Sequence, residues 1–209
     1  DVNIAFANEV ALACEDLGVD VWQVRELINK SPFHDLHKPG AGVGGHCIPK
    51  DPILLSSSIK RKMVLTSNAR KINDFMPNHI LELATLALRL AKKEIKKAKL
   101  AILGYAYVEN SDDARSSPTE SLLVILKSQK IKFSVHDSFN KSFNEYSPEE
   151  AIKGADCLVL MVAHDQYKKI DLGKIGKLMR NKIIIDGRNF FDKQEAEKLG
   201  FVYKGIGNV

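Results

Sequence analysis

The amino-acid sequence predicts an α/β protein: a helical domain over residues 1–96, then a parallel-sheet domain over residues 97–209. Three observations carry this prediction. Apolar residues recur at helical spacing through most of the first half. Beyond Lys97, short apolar runs of strand length alternate with helical stretches, a pattern that builds a parallel sheet covered on both faces. Finally, a chain of 209 residues with 44% hydrophobic and 27% charged residues can bury a sizeable core and is too apolar to stay disordered.

Taken in order, residues 1 to about 30 read as two helical pieces. Ala5, Phe6, Val10, Ala13 and Leu17 mark the first, Gly18 breaks it, and Val21, Trp22, Val24, Leu27 and Ile28 mark the second. Neither a Met nor a capping box precedes Asp1, so the sequence is expected to be part of something longer. Residues 31–52 hold Pro32, Pro39, Gly40, Gly42, Gly44, Gly45, Pro49 and Pro52, a density of breakers that predicts a loop with no regular element. A loop of that length inside a compact domain is usually functional. From Asp51 to Lys97 the pattern is helical again. Pro77, after Asn73 and Asp74, marks the expected start of a long helix running to about Lys97. Ile80, Leu81, Leu83, Ala84, Leu86, Ala87, Leu88, Leu90 and Ala91 spread over a wide arc of that helix. Such an arc is buried inside the chain, which is the first expectation, or it pairs with a second copy.

The second half reads as a strand at Leu100–Leu103, a polar loop from Tyr105 to Ser117 and a helix from Thr119 to Lys130. A strand at Ile131–His136 follows, then a helix opened by Ser147-Pro148. Cys157–Val162, Lys182–Asp186 and Phe201–Tyr203 are further strands.

Several function classes are disfavoured at once. No apolar run approaches the ~20 residues that span a bilayer, and Asp1-Val2-Asn3-Ile4 lacks the layout of a secretory signal. Three cysteines make no disulfide framework, which points to a reducing, cytoplasmic setting. The net charge of +5 is concentrated in Lys60-Arg61-Lys62 and Lys92–Lys99, read as solvated helix faces. With 7% aromatics, nucleic-acid binding is not expected, whereas an anionic small molecule is compatible with the charge.

The segment Pro39 to Pro52 is the centre of interest. Gly40, Gly42 and Gly45 satisfy G-x-G-x-x-G, but the dinucleotide fingerprint needs a strand before it and a helix opening after it. His34–Pro39 precedes it and Cys-x-Pro follows, so the fingerprint is rejected. Glycines let a backbone lie close to a ligand, and Cys47 then stands at the end of the loop as a candidate nucleophile. Lys50 would favour a thiolate and Asp51 could orient water or carry a proton. Cys14 and Cys157 fall in apolar patterns and read as small buried hydrophobes. His34, His37 and His46 lack the paired spacing of a zinc site, so no metal is expected. In the second half, Gly104 stands alone in its strand-to-helix turn, without the pyrophosphate fingerprint. Arg115 reads equally as a partner of Asp112 and Asp113 or as a phosphate contact. Asp186-Gly187-Arg188-Asn189 ends a strand at the same mouth of the sheet, where open α/β sheets bind ligands.

These residues carry a family resemblance. Gly44-Gly45-His46-Cys47-Ile48-Pro49-Lys50-Asp51-Pro52 resembles the catalytic loop of the nucleotide-sugar 6-dehydrogenases, the UDP-glucose / UDP-N-acetylmannosamine dehydrogenase family. Asp1 to Glu9, Asn68-Ala69-Arg70 with Asn73-Asp74 and Met76-Pro77, Leu103 to Pro118, and Asp186 to Asn189 resemble its other markers in the same order. The resemblance implies a helical dimerisation domain with the Cys loop, followed by a Rossmann-like UDP-binding domain, the family's N-terminal NAD domain lying outside this sequence. It implies oxidation of a sugar C6 alcohol to a carboxylate with NAD, with Cys47 as nucleophile and Asp51 assisting water. Lys50 and Arg115 match positions that reach NAD; Gly44 and the loop Leu36, His37, Lys38, Pro39 and Gly40 match positions that hold the UDP-sugar. Tyr107 and Arg188 are assigned to the same substrate, and a cytoplasmic homodimer is expected. His46 and the opening segment favour an N-acetylhexosamine branch, UDP-N-acetyl-D-mannosamine first, with UDP-glucose and UDP-N-acetylglucosamine as alternatives. Val108 stands where the family has a lysine that contacts the substrate, and Ser31-Pro32-Phe33 where the mannosamine branch often has His-Pro-Arg. A non-catalytic UDP-sugar-binding dimerisation module is the competing reading.

Overall fold

The structure, a computed structural model, describes residues 1–208. Helix α1 (Val2–Leu17) ends at Gly18, and α2 (Val21–Ile28) starts at Asp20, whose side chain accepts from the Trp22 N–H. A long irregular stretch follows. Helix α3 (Cys47–Ser57) then opens at the cysteine itself, so the expected structureless loop ends at residue 46. Pro49 lies in the first turn, where a backbone N–H has no intrahelical partner to lose, so only Pro52 removes a helix hydrogen bond. Helix α4 (Val64–Leu90) is longer than expected and passes straight through Pro77. Packing overrides the proline there: Met76 and Ile80 are fully buried on either side of it.

The sheet comprises β1 (Lys99–Leu103), β2 (Lys132–His136), β3 (Cys157–Leu160), β4 (Ile183–Asp186) and β5 (Val202–Gly205). Its order is β2-β1-β3-β4-β5 and every pairing is parallel. The intervening helices are α5 (Pro118–Ser128), α6 (Pro148–Ile152), α7 (Leu172–Leu178) and α8 (Lys193–Lys198). Ser117 and Ser147 cap α5 and α6 ahead of a proline, as the sequence signals.

Alternate strand residues face opposite layers. Ala101, Leu103, Leu158, Leu160 and Ile184 pack under α6, α7 and α8 with Tyr167 and Ile175. Leu100, Ile102, Val159, Ile183 and Ile185 pack on the other face with Met76, Ile80, Ala84, Leu88 and Leu122. One core therefore joins α1, α4 and α5 to the sheet. The wide apolar arc of α4 is satisfied inside the chain, with only Leu86 and Leu90 left exposed. That arc accordingly gives no reason to expect a second copy. The exposed apolar surface lies elsewhere: α3 buries no residue, and Ile53, Leu54, Leu55, Val64 and Leu65 are all more than half exposed. Among the described residues, no helix is long and apolar enough to cross a membrane.

Candidate functional site at the carboxyl end of the sheet

The strands end beneath two loops, residues 104–117 after β1 and 187–191 after β4, and the glycine-rich segment lies across both. The Ala41 N–H donates to the Gly187 carbonyl at 3.2 Å and the Gly45 N–H to the Arg115 carbonyl at 2.8 Å. Glycine is needed here for the protein's own close approach. A Cβ on Gly44 would stand 2.6 Å from Tyr107 Cβ and 2.7 Å from the Ser116 carbonyl oxygen, and one on Gly40 would stand 2.5 Å from Arg188 Nη1.

A buried polar network holds the segment from beneath. Asn8 donates to Asn73 Oδ1 and accepts the Gly40 N–H, both at 2.8 Å. Asn73 donates to the Asp1 carboxylate at 2.6 Å, and Arg70 reaches the same carboxylate at 3.1 Å and the Val43 carbonyl at 3.3 Å. The sequence offered Asn8, Arg70 and Asn73 as family markers without a role. Their signal was polar residues on otherwise apolar helix faces, which must find partners when buried.

The loop after β1 is pinned just as firmly. Asp137, at the end of β2, is fully buried and accepts the N–H groups of Tyr105, Ala106, Phe139 and Asn140 and the His164 ring at 3.0 Å. Burial pushes its carboxyl up, but His164 and these donors outweigh it and hold the group far below the usual carboxylate range. His164 Nδ1 accepts the Asn110 N–H at 2.9 Å, which leaves Nε2 as the donor to Asp137. Asp186 does the same work after β4. It accepts from Arg188 N, Phe190 N, Phe191 N and the Tyr203 hydroxyl, and burial raises its pKa. The sequence reading missed Asn110, Asp137 and His164. A carboxylate directly after a strand was the only hint.

On this frame three clefts meet around the start of α3. The first, about 400 Å³, is lined by His37, Lys38, Gly44, Tyr107 and Arg188, five of the residues expected to hold substrate, together with Arg25, Ile48 and Val108. Leu36, Pro39 and Gly40 are buried behind it. Leu36 is tied by its N–H and carbonyl to the Asn29 side chain at 2.7 and 3.1 Å. The second cleft, about 450 Å³, brings together Lys50 and Arg115 with Gly45 and His46. Arg115 Nε lies 3.0 Å from both oxygens of Asp113, so the ion-pair reading of that residue describes the structure. Arg115 donates these hydrogen bonds to Asp113, and they and the Asp113 charge raise the pKa of Arg115. A third cleft holds Asp51 with Asp1, Asn3, His37 and Ile48.

Cys47 is exposed at the first position of α3, between His46, which lines the second cleft, and Ile48, which lines the first and third; its own side chain is not part of their lining. Asp51 follows one turn later, on the same helix face. The first turn of a helix favours negative charge, an environment that suits a thiolate. Cys14 and Cys157 are buried, and burial raises both thiols. A helix does open after the glycines, contrary to expectation, but no strand precedes them, and the dinucleotide fingerprint remains excluded.

The chain matches two family models. The central domain of the UDP-glucose/GDP-mannose dehydrogenase family matches residues 1–75, and that family's UDP binding domain matches residues 101–193. UDP-N-acetyl-D-mannosamine dehydrogenase of Pyrococcus horikoshii is 41% identical over 99% of this chain and 49% of its own length. A solved structure of the UDP-D-ManNAc dehydrogenase from the same organism superposes with a TM-score of 0.92 at 40% identity, over 100% of this chain and 49% of that one. The NDP-N-acetyl-D-galactosaminuronic acid dehydrogenase of Methanosarcina mazei superposes with a TM-score of 0.93 at 33% identity, over 99% of this chain and 48% of that one. The chain thus spans about half the length of the relatives it matches. With both family domains matched in order over one continuous frame, the chain belongs to the UDP-glucose/GDP-mannose dehydrogenase family, of which it carries the central and UDP-binding parts.

Proposed function

We propose that this chain is the central and UDP-binding part, divided near residue 96, of an NAD-dependent UDP-sugar 6-dehydrogenase. UDP-N-acetyl-D-mannosamine is the favoured substrate, and UDP-glucose and UDP-N-acetylglucosamine are the alternatives. One observation carries the reading: the cleft that collects His37, Lys38, Gly44, Tyr107 and Arg188 adjoins the helix start that exposes the Cys47 thiol. The names of the relatives at 35–41% identity favour the mannosamine sugar.

In this reading the nucleotide lies against Tyr107, Lys38 and Arg188, and the sugar C6 reaches Cys47. Lys50 and Arg115 fit the dinucleotide, because they are the two cations of the cleft beside the thiol. When bound, NAD supplies the two-electron acceptor for both oxidations. Cys47 Sγ forms a bond to the C6 aldehyde carbon, giving a thiohemiacetal whose oxidation leaves a thioester. Water then adds to the thioester carbonyl, the C–S bond breaks, and the carboxylate leaves. Asp51, one turn along, takes the proton from that water. The net change per alcohol is two NAD+ reduced, one water consumed and three protons released.

The full-length enzyme with Cys47→Ser tests this. Wild type should form two NADH per UDP-sugar and a uronate, whereas the variant should form no uronate. An unchanged rate of uronate formation would remove Cys47 from the covalent role. The present chain alone should bind UDP in calorimetry and produce no NADH, and NADH production by it would overturn that part of the proposal. A non-catalytic binding module remains the second reading, favoured by the apolar Val108 in the cleft wall; it requires that the full-length wild type form no NADH either. Three unpaired cysteines fit a reducing cytoplasm, and the bare apolar face of α3 fits a homodimer.

A further inference from the structure

Arg25 sits in the last turn of α2 and lines the first cleft together with Tyr107 and Val108. Its Nε is buried and has no hydrogen-bond partner. Among the described residues, no carboxylate lies within ion-pair distance of it. The other two arginines beneath this loop are engaged: Arg70 with Asp1 and Asp74, Arg188 Nε with the Met161 carbonyl at 2.8 Å. The one acid of the cleft, Asp35, faces His37 at 3.8 Å. Arg25, Lys38 and Arg188 therefore give the cleft an excess of positive charge with one buried donor unmatched.

A basic residue near a helix end often serves the last carbonyls of that helix. Arg25 does not: the structure shows no bond from its guanidinium to a helix carbonyl, and its own carbonyl is taken by the Asn29 N–H at 2.9 Å. Among the described residues no acceptor meets the Arg25 side chain, which lines the cleft, and a charged donor without a protein acceptor in a cleft wall is a place for a ligand acceptor. The planar guanidinium fork suits a phosphate.

We propose that Arg25 is a substrate-binding residue of this cleft, receiving a phosphate of a nucleoside diphosphate. The assignment rests on the UDP-sugar reading for the identity of the nucleotide. It also explains how the cleft keeps its charge with valine at position 108, where the resemblance led to a lysine. Arg25 thus becomes a determinant of affinity.

The test is calorimetry on this chain with UDP, uridine and inorganic pyrophosphate, comparing wild type with Arg25→Met and following both by thermal melting. Loss of a charge-assisted pair should weaken UDP and pyrophosphate about tenfold or more, leave uridine unchanged, and leave the melting temperature nearly so. Independently of any variant, phenylglyoxal labelling of wild type followed by mass spectrometry should show Arg25 protected by UDP and by pyrophosphate but not by uridine. Equal UDP affinity in the variant, equal loss of uridine, or labelling of Arg25 that pyrophosphate does not slow would each overturn the assignment. Arg25-dependent pyrophosphate binding with no further gain for UDP would uphold the anion site and sink the nucleotide reading instead. Binding of neither by wild type would overturn both.

Discussion

Helices α3 and α4 invite comparison, because their sequences look alike and their fates differ. Both carry a proline inside the helix and a high share of aliphatic residues. Helix α4 buries Met76, Ile80, Ala84, Ala87 and Leu88 completely, against α1, α5 and the sheet. Helix α3 buries nothing. In its first turns Lys50 and Asp51 each line one cleft and Cys47 stands exposed between His46 and Ile48, while Ile53, Leu54 and Leu55 stand in the open. Apolar content reports that a helix wants cover; it does not say what covers it. For α4 the cover is the sheet of its own chain. For α3 nothing among the described residues supplies it; the homodimer of the proposed function would do so there and around Val64 and Leu65.

The comparison can be broken most severely at Ile80. Ile80→Ala should cost about 2–5 kcal/mol in denaturant unfolding, since it opens a cavity where α4 meets the sheet. Leu55→Ala in α3 should cost no more than about 0.5 kcal/mol at a concentration where the chain is monomeric. Equal costs would show that α3 is covered after all.

Gly44→Ala is the next largest effect. The added methyl meets Tyr107 Cβ and a backbone oxygen, neither of which can rotate away, so the segment must lift by a cost of about 1–3 kcal/mol. Because the displaced segment forms the cleft wall, UDP affinity should fall along with stability. Unchanged UDP binding would show that the segment tolerates displacement without harm to the cleft.

His79 offers a pH-dependent view of how α4 is fastened. Burial disfavours its charged form, but hydrogen bonds to Glu15 on α1 and to Glu82 outweigh burial and raise its pKa above the ordinary value. The stability it adds is complete below the unfolded value of about 6.5 and is lost as pH rises through the raised folded value. Melting curves across that window should show wild type losing stability with rising pH and His79→Gln losing less. Parallel curves would mean that the Glu15 contact does not favour the proton.

The smallest expected change in the single chain, and the sharpest for α3, is Leu55→Asp. Stability of the monomer should hold within about 0.5 kcal/mol, while light scattering should report a shift from twice the chain mass to one, at low and high salt alike because the contact is apolar. A wild-type monomer at micromolar concentration would leave α3 without the proposed partner.

Much of the fold was legible because its signals are local. The alternation of Leu100-Ala101-Ile102-Leu103 with the helix of Leu122, Leu123 and Leu126 needs only neighbouring residues to declare a strand and a covering helix. The caps Ser117-Pro118 and Ser147-Pro148 were legible for the same reason. Pro77 misled, since a proline costs a helix one hydrogen bond and a steric adjustment, and burial of Met76, Ile80 and Ala84 exceeds that cost. Pro49 misled in the other direction, because a proline in a first turn costs almost nothing and the helix begins before it.

Gly44, Cys47, Lys50 and Asp51 could be picked out as candidates from the sequence, since reactive and ligand-holding residue types cluster in a segment unsuited to core packing; Arg188 was marked by the strand it follows and Tyr107 by the family resemblance. Their mutual arrangement could not. The Asn8–Asn73–Asp1 network and the Asp137–His164–Asn110 lock join residues tens of positions apart, and hydrogen bonds between distant residues leave no periodicity in the sequence. The order of residues by itself determined the helices, the parallel sheet and the list of candidate reactive groups, because propensity, capping and alternation act over a few neighbours. Only the tertiary structure decided that the glycines fit against Tyr107 and Arg188, that α4 belongs to the sheet while α3 stands bare, and that Arg25 faces the cleft, because close packing and the pairing of buried polar groups are settled by atoms brought together from across the chain.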